Sequence, residues 1–183
     1  NPDSGGNGTD TVGCASISNN NWKFGYFDES PVGQIVFNSS NSQGDITDGF
    51  VVDTSTTAGV VGIDSLSNGN FVIGYCDQTD ADVSFRTYNS DSTSVSGIID
   101  VNITAGALCR TTTEHASTIV AVGAINSSDS QFVIAYAEYP LNFTYIAIHN
   151  LTGDVNLSST VISTTSNKYR RALTVEGFDS IRN

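Results

Sequence analysis

Two histidines, three cysteines and 19 acidic side chains are the groups of this chain best suited to chemistry, and few of them are spaced for it. Glu114 and His115 adjoin and are the nearest approach to an acid/base pair. General acid–base catalysis needs a partner group in a fixed relation to the base. Neither an HExxH nor a GxSxG motif accompanies His115 or His149, so Glu114–His115 reads as a solvated loop pair. A glycosidase would need two positioned carboxylates, and in so Asp-rich a chain mere proximity of two acids says little. Asp77, Asp80 and Asp82 crowd one turn, and Asp45, Asp48 and Asp53 another. Oxygen-rich turns can hold Ca²⁺, but neither stretch matches an EF-hand loop, and both read as acidic solvated turns. Gly5-Gly6-Asn7-Gly8 has no preceding strand, following helix or Lys, and is not a phosphate loop. Neither enzymatic activity nor a cofactor is expected.

Chemistry done to the chain is better signalled. Seven Asn-x-Ser/Thr sequons occur, at Asn7, Asn38, Asn102, Asn126, Asn142, Asn150 and Asn156. Composition alone gives about four. Most fall at expected turns or strand ends, where glycans reach solvent. No Cys/His spacing suggests zinc. Cys14 is expected as a small buried hydrophobe on a core-facing strand. Cys76 stands at a strand end and Cys109 in a loop, so a Cys76–Cys109 bridge would staple that loop to its array.

The elements that carry these residues repeat. Gly13 to Tyr26, Gly62 to Tyr75 and Gly123 to Tyr136 align without gaps as Gly, eight residues, Trp or Phe, one residue, Phe or Ile, Gly or Ala, Tyr. Alternating runs follow each Tyr at 34–37, 82–88 and 143–148, and further β-rich runs at 50–52, 97–100 and 160–163. Asn, Gly, Asp and Ser separate them at Asn41 to Gly44, Asn68 to Asn70, Asp91-Ser92 and Thr152 to Asp154. Period-two alternation between such turn formers predicts four short antiparallel strands per repeat. The fold expected is all-β: three full four-stranded units, at about 11–58, 59–117 and 118–170, behind a Gly-rich leader at 1–10. The segment 171–183 parallels only the first strand of a unit, with Leu173, Val175, Gly177 and Phe178 as its assembly strand. An insertion at 106–117 lengthens the third period. Trp22, Phe71 and Phe132 share one repeat position and are expected to pack in the core rather than to stack on sugars.

The wording LSNGNFVIGYCD (66–77) followed by VSFRTYNSD (83–91) resembles the blade-like repeats of large secreted bacterial and archaeal surface proteins. The resemblance covers nearly the whole chain three times over and implies an extracellular β-propeller-like or open β array, often adhesive, with no one activity. The Gly that closes the family's second hairpin is not matched in copies one and two. Propellers normally close with at least four blades, so three and a fraction do not make an ordinary ring. The extra strand pairs within its own chain, passes to the next molecule, or belongs to a longer array.

A net charge of −12 from 7 bases excludes a phosphate-backbone binder. No apolar run approaches a membrane span. Only 14% of residues are charged, while Ser, Thr and Asn supply 24, 20 and 17. A surface clothed in sugar rather than ions fits that balance. The expectation is an extracellular, glycosylated structural protein whose partners are copies of itself, joined head to tail into a surface filament or coat. The alternative is a secreted lectin or adhesin domain whose partners are carbohydrates.

Overall fold

The computed structural model describes residues 12–18, 21–28, 33–54, 61–77, 82–101, 120–126, 130–137 and 143–163. Among them the chain is all-β, apart from a single 3₁₀ turn at Ser67–Gly69. The first sheet comprises β1 (Gly13–Ser18), β2 (Asn21–Asp28), β3 (Gln34–Ser40) and β4 (Ile46–Asp53). The second comprises β5 (Val61–Ser65), β6 (Phe71–Asp77), β7 (Asp82–Tyr88) and β8 (Ile99–Asp100). The third comprises β9 (Val120–Asn126), β10 (Gln131–Ala137), β11 (Thr144–His149) and β12 (Val155–Ser163). Each is an antiparallel meander in chain order, and the sheets do not close into a barrel.

The tight turns follow from local side-chain hydrogen bonding. In the β3–β4 turn Asn41 Oδ1 accepts from the Asp45 N–H at 2.9 Å, and Gly44 takes φ +87. The β11–β12 turn repeats this with Asn150, Asp154 (2.8 Å) and Gly153 at φ +90. Both read Asn-x-x-Gly-Asp, the side chain of Asn mimicking a turn of backbone while Gly supplies the left-handed residue. The β7–β8 turn uses Ser92 at φ +70 in that place. Copy one therefore does carry the closing Gly, as Gly44, and only copy two departs.

The sheets stack face to face in chain order. In each sheet one face, here called leading, receives the preceding sheet, and the other, trailing, covers the next. Ala15, Ile17, Ile35, Phe37 and Val52 from the trailing face of the first sheet pack on Val61, Ile63, Phe71, Ile73, Tyr75 and Tyr88 of the second. Val72, Val83, Phe85 and Val101 from the trailing face of the second pack on Val120, Val122, Phe132, Ile134, Tyr136 and Ala147 of the third. All seven residues of β6 are consequently buried, as expected of a near-continuous apolar strand between two layers.

The repeated small residues are explained by this stacking. A Cβ on Gly13 would lie 2.9 Å from Ile63 Cγ2 and 3.1 Å from the Val61 carbonyl. One on Gly62 would lie 3.2 Å from the Val122 backbone nitrogen. Gly13 pairs with Gly25 and Gly62 with Gly74, so two bare backbones face the next sheet's first strand. In the third sheet the residue opposite Ala135 is Ala121, and Gly123 lies opposite Val133. The ungapped alignment on Gly123 is therefore two residues out along β9. The β9–β10 hairpin holds two more residues, with a register shift at Gln131–Phe132.

Candidate functional site: the two end faces of the array

Polar groups tie the inner interfaces together. Lys23, 5% exposed, donates to Ser92 Oγ at 2.7 Å and to Ser39 Oγ. Its Nζ lies 5.2 Å from the Phe71 ring centroid and 5.5 Å from that of Phe37. Burial lowers its pKa, opposed by Asp48 and Asp91. Tyr75 donates to Asp53 Oδ2 at 2.7 Å; burial, then that carboxylate, push its phenol well up. Burial pushes Tyr88 up to about 12, partly offset by Arg86, whose Nη1 reaches the Val52 carbonyl at 3.2 Å. Between the second and third sheets Asp64 Oδ2 accepts from the Ala124 N–H at 2.8 Å, and Thr87 donates to the Leu151 carbonyl at 2.6 Å.

His149 is buried between Phe85 and Phe132, at 4.6 and 6.1 Å between ring centroids. Its Nδ1 faces the Gly153 carbonyl at 3.2 Å, and Nε2 has no partner among the described residues. Burial holds its pKa below the ordinary 6.5, the carbonyl contact opposing. Above pH 6.5 the ring is neutral folded or unfolded, so stability is flat there. Below it the unfolded chain takes up the proton first, and stability falls by up to about 1.4 kcal/mol per pH unit. Urea unfolding at pH 7.5, 6.5 and 5.5 is expected to show that loss, and a smaller one in His149→Phe; equal slopes in both proteins refute it.

The candidate site lies where stacking stops. Phe71, Ile73 and Tyr75, and likewise Phe132, Ile134 and Tyr136, are 0% exposed. Among the described residues no sheet precedes the first, and of its matching residues Trp22 is 43% exposed while Phe24 and Tyr26 are half-buried. Trp22 is thus not the core residue the repeat suggests. Cys14 is likewise exposed, with a free thiol, where Ile63 and Val122 are buried. Val12, 63% exposed, precedes it where the inner copies have Val61 and Val120. At the other end the trailing face of the third sheet carries Val133, Ile146 and Ile148 together with Ala121 and Ala135, which are buried. Val133, Ile146 and Ile148 are half-buried, although the residues that match the first two, Val72 and Phe85, are fully buried in the second sheet. None of these residues except Trp22 and Cys14 stands out in the sequence. A change of size between matched copies could have found them, once Ala121 is aligned in place of Gly123.

Of the sequons, Asn38 lies mid-strand in β3 on the first sheet's leading face, with Nδ2 donating to Tyr26 Oη at 2.9 Å. Asn126 ends β9, and Asn156 is exposed on β12. Asn150 has its amide built into the β11–β12 turn, with Nδ2 donating to Asp154 Oδ2 at 3.0 Å. Cys76 is disulfide-bonded. Non-reducing peptide mapping is expected to join Cys76 to Cys109 and to recover Cys14 alkylated; a bridge to Cys14 contradicts that pairing. Asp77 and Asp82 are cross-strand partners, Asp45 is tied to Asn41, and Asp48 and Asp53 lie along β4. Among the described residues no group of three His, Cys, Asp or Glu side chains could hold a metal ion. No helix among them is long and apolar enough to cross a membrane. Asn7, Asn102, Asn142, Asp80, Cys109, Glu114, His115, Leu173, Val175, Gly177 and Phe178 lie outside the described residues. No protein-family model matches the chain, and no curated protein matches it.

Proposed function

We propose that the chain is an extracellular, glycosylated structural subunit that joins copies of itself head to tail in a surface filament or coat. The trailing face of the third sheet receives the leading face of the next copy's first sheet. One observation carries this reading: the two free faces differ from the inner ones in opposite directions at matched positions. Phe37 meets Phe71, and Phe85 meets Phe132, at centroid distances of 5.1 and 5.2 Å. The free faces offer Ile146 and Trp22 there, smaller on one side and larger on the other. Ile63 and Val122 press on Gly pairs, whereas Cys14, with one heavy atom beyond Cβ, would meet Ala121 and Ala135. Swaps that conserve volume across a contact are the ones packed interfaces tolerate.

Such a contact is heterologous, giving rings or open fibres. The disulfide at Cys76, seven sequons and 14% charged residues support an oxidising, sugar-rich setting. Negative-stain imaging and size-exclusion chromatography over a concentration series test the reading, with residues 171–183 present and removed. Concentration-dependent fibres support it, and the truncated chain shows whether strand exchange through Leu173, Val175, Gly177 and Phe178 contributes. The strip of exposed Trp22 with half-buried Phe24 and Tyr26 favours one second reading, a lectin or adhesin whose rings stack on sugars. A concentration-independent monomer that binds a glycan array would put that reading first.

A further inference from the structure

The first sheet's leading face carries a sequon in the middle of a strand. Asn38-Ser39-Ser40 lies in β3, and Asn38 pairs across the sheet with Phe24 on one side and Gly49 on the other. Gly49 raises no side chain above the sheet, and the Asn38 carboxamide lies over it, its Oδ1 2.5 Å from where a Cβ would be. The same place in the second sheet holds Arg86, which reaches across to the Val52 carbonyl of the first sheet. In the third sheet it holds Ala147, 0% exposed beneath the second sheet. In both inner copies, then, the volume above this position is filled by the preceding sheet. Neither Arg86 nor Ala147 belongs to a sequon.

We propose that Asn38 is an N-glycosylation site whose glycan caps the leading face, so that sugar and a second copy compete for one surface. The inference rests on the head-to-tail reading above. Attachment joins Asn38 Nδ2 to the anomeric carbon of an oligosaccharide carried on a lipid pyrophosphate. The anomeric C–O bond breaks, pyrophosphate leaves with the bonding electrons, and Nδ2 loses one proton. The second Nδ2 hydrogen remains available to Tyr26 Oη, so the fold accepts the modification. A glycan there projects where the trailing face of another copy would seat and adds a hydrated, mobile chain over Phe24 and Tyr26. Copies that carry it still offer a trailing face, so they add only at the leading end of a growing array and stop growth at that end. Occupancy of Asn38 thereby sets fibre length.

The test uses the whole chain secreted from a glycosylating host, separated by size into assembled and single-copy fractions, each mapped by glycopeptide mass spectrometry. The proposal predicts Asn38 glycosylated in the single-copy fraction and depleted at least tenfold in the interior of fibres, where the other sequons keep their occupancy. Asn38→Gln is expected to lengthen the fibres, whereas Asn156→Gln, at an exposed site on β12, leaves their length unchanged. Fibres whose Asn38 is as fully glycosylated as that of single copies overturn the cap while leaving head-to-tail joining intact. Asn38 bare in every fraction overturns it equally. No fibres from either the parent or Asn38→Gln overturns the underlying reading along with it.

Discussion

Trp22→Ser is expected to raise the concentration needed for the proposed head-to-tail association by roughly 70-fold. A Trp side chain carries roughly 250 Å² of surface. With 43% of Trp22 exposed, about 100 Å² is left to be covered by a partner. At about 25 cal/mol per Å² that is about 2.5 kcal/mol, which converts to the stated fold-change. The single copy should scarcely notice the change, losing under about 1 kcal/mol, because half-exposed surface positions contribute little to folding. Analytical ultracentrifugation of parent and variant over the same concentration range reads the shift directly. An unchanged association curve removes Trp22 from the contact.

Phe71→Ala, at the matched position one sheet on, has the opposite profile. Phe71 is 0% exposed, packs edge-on to Phe37 at 5.1 Å, stacks on Tyr88 at 5.0 Å and lies 5.2 Å from Lys23 Nζ. Truncation costs about 3–5 kcal/mol, from lost apolar burial and the cavity left behind. The loss of the cation's aromatic wall adds to it, because Lys23 stays buried with fewer favourable contacts. For a chain of this length the melting temperature should fall by about 10–15 °C. Equal losses of stability in Phe71→Ala and Trp22→Ala, read by thermal unfolding, contradict the view that a preceding sheet decides the role of this repeat position.

Much of the fold is legible in the sequence because strand pairing and turn chemistry are local. The runs at 34–37 and 82–88 fall within β3 and β7, and Asn41 to Gly44 and Thr152 to Asp154 mark turns that Asn side chains close. The antiparallel meander follows from short links between adjacent strands. Stacking is not local, and there the residues mislead. Trp22 has the same neighbours in sequence as Phe71, yet one meets solvent and the other a sheet. Cys14 sits at a position that is buried in the inner sheets, yet it is exposed. Gly123 satisfies the spacing of the repeat, but two extra hairpin residues hand its role to Ala121. Lys23, a charged residue inside an apolar interface, is compensated by Ser92 and two rings that no spacing rule brings near it. The candidate site was hidden for the same reason. It consists of residues at the two places where no described sheet adjoins the array.

The proposed pairing of the end faces is open to direct chemical capture through the free thiol of Cys14. In the inner interfaces the matching Ile63 and Val122 place a methyl group within 2.9 and 2.7 Å of where a Cβ on Gly13 or Gly74 would be. Ala135, 2% exposed, holds the place of Gly74 on the third sheet's trailing face. On the head-to-tail reading, Ala135→Cys would bring a second thiol against Cys14 of the next copy, at a separation a disulfide can span. After mild oxidation, a non-reducing gel of Ala135→Cys is expected to show a ladder of dimers, trimers and higher multiples, absent when Cys14 is also changed to Ser. Oxidised protein that runs only as a single copy contradicts head-to-tail pairing of these two faces.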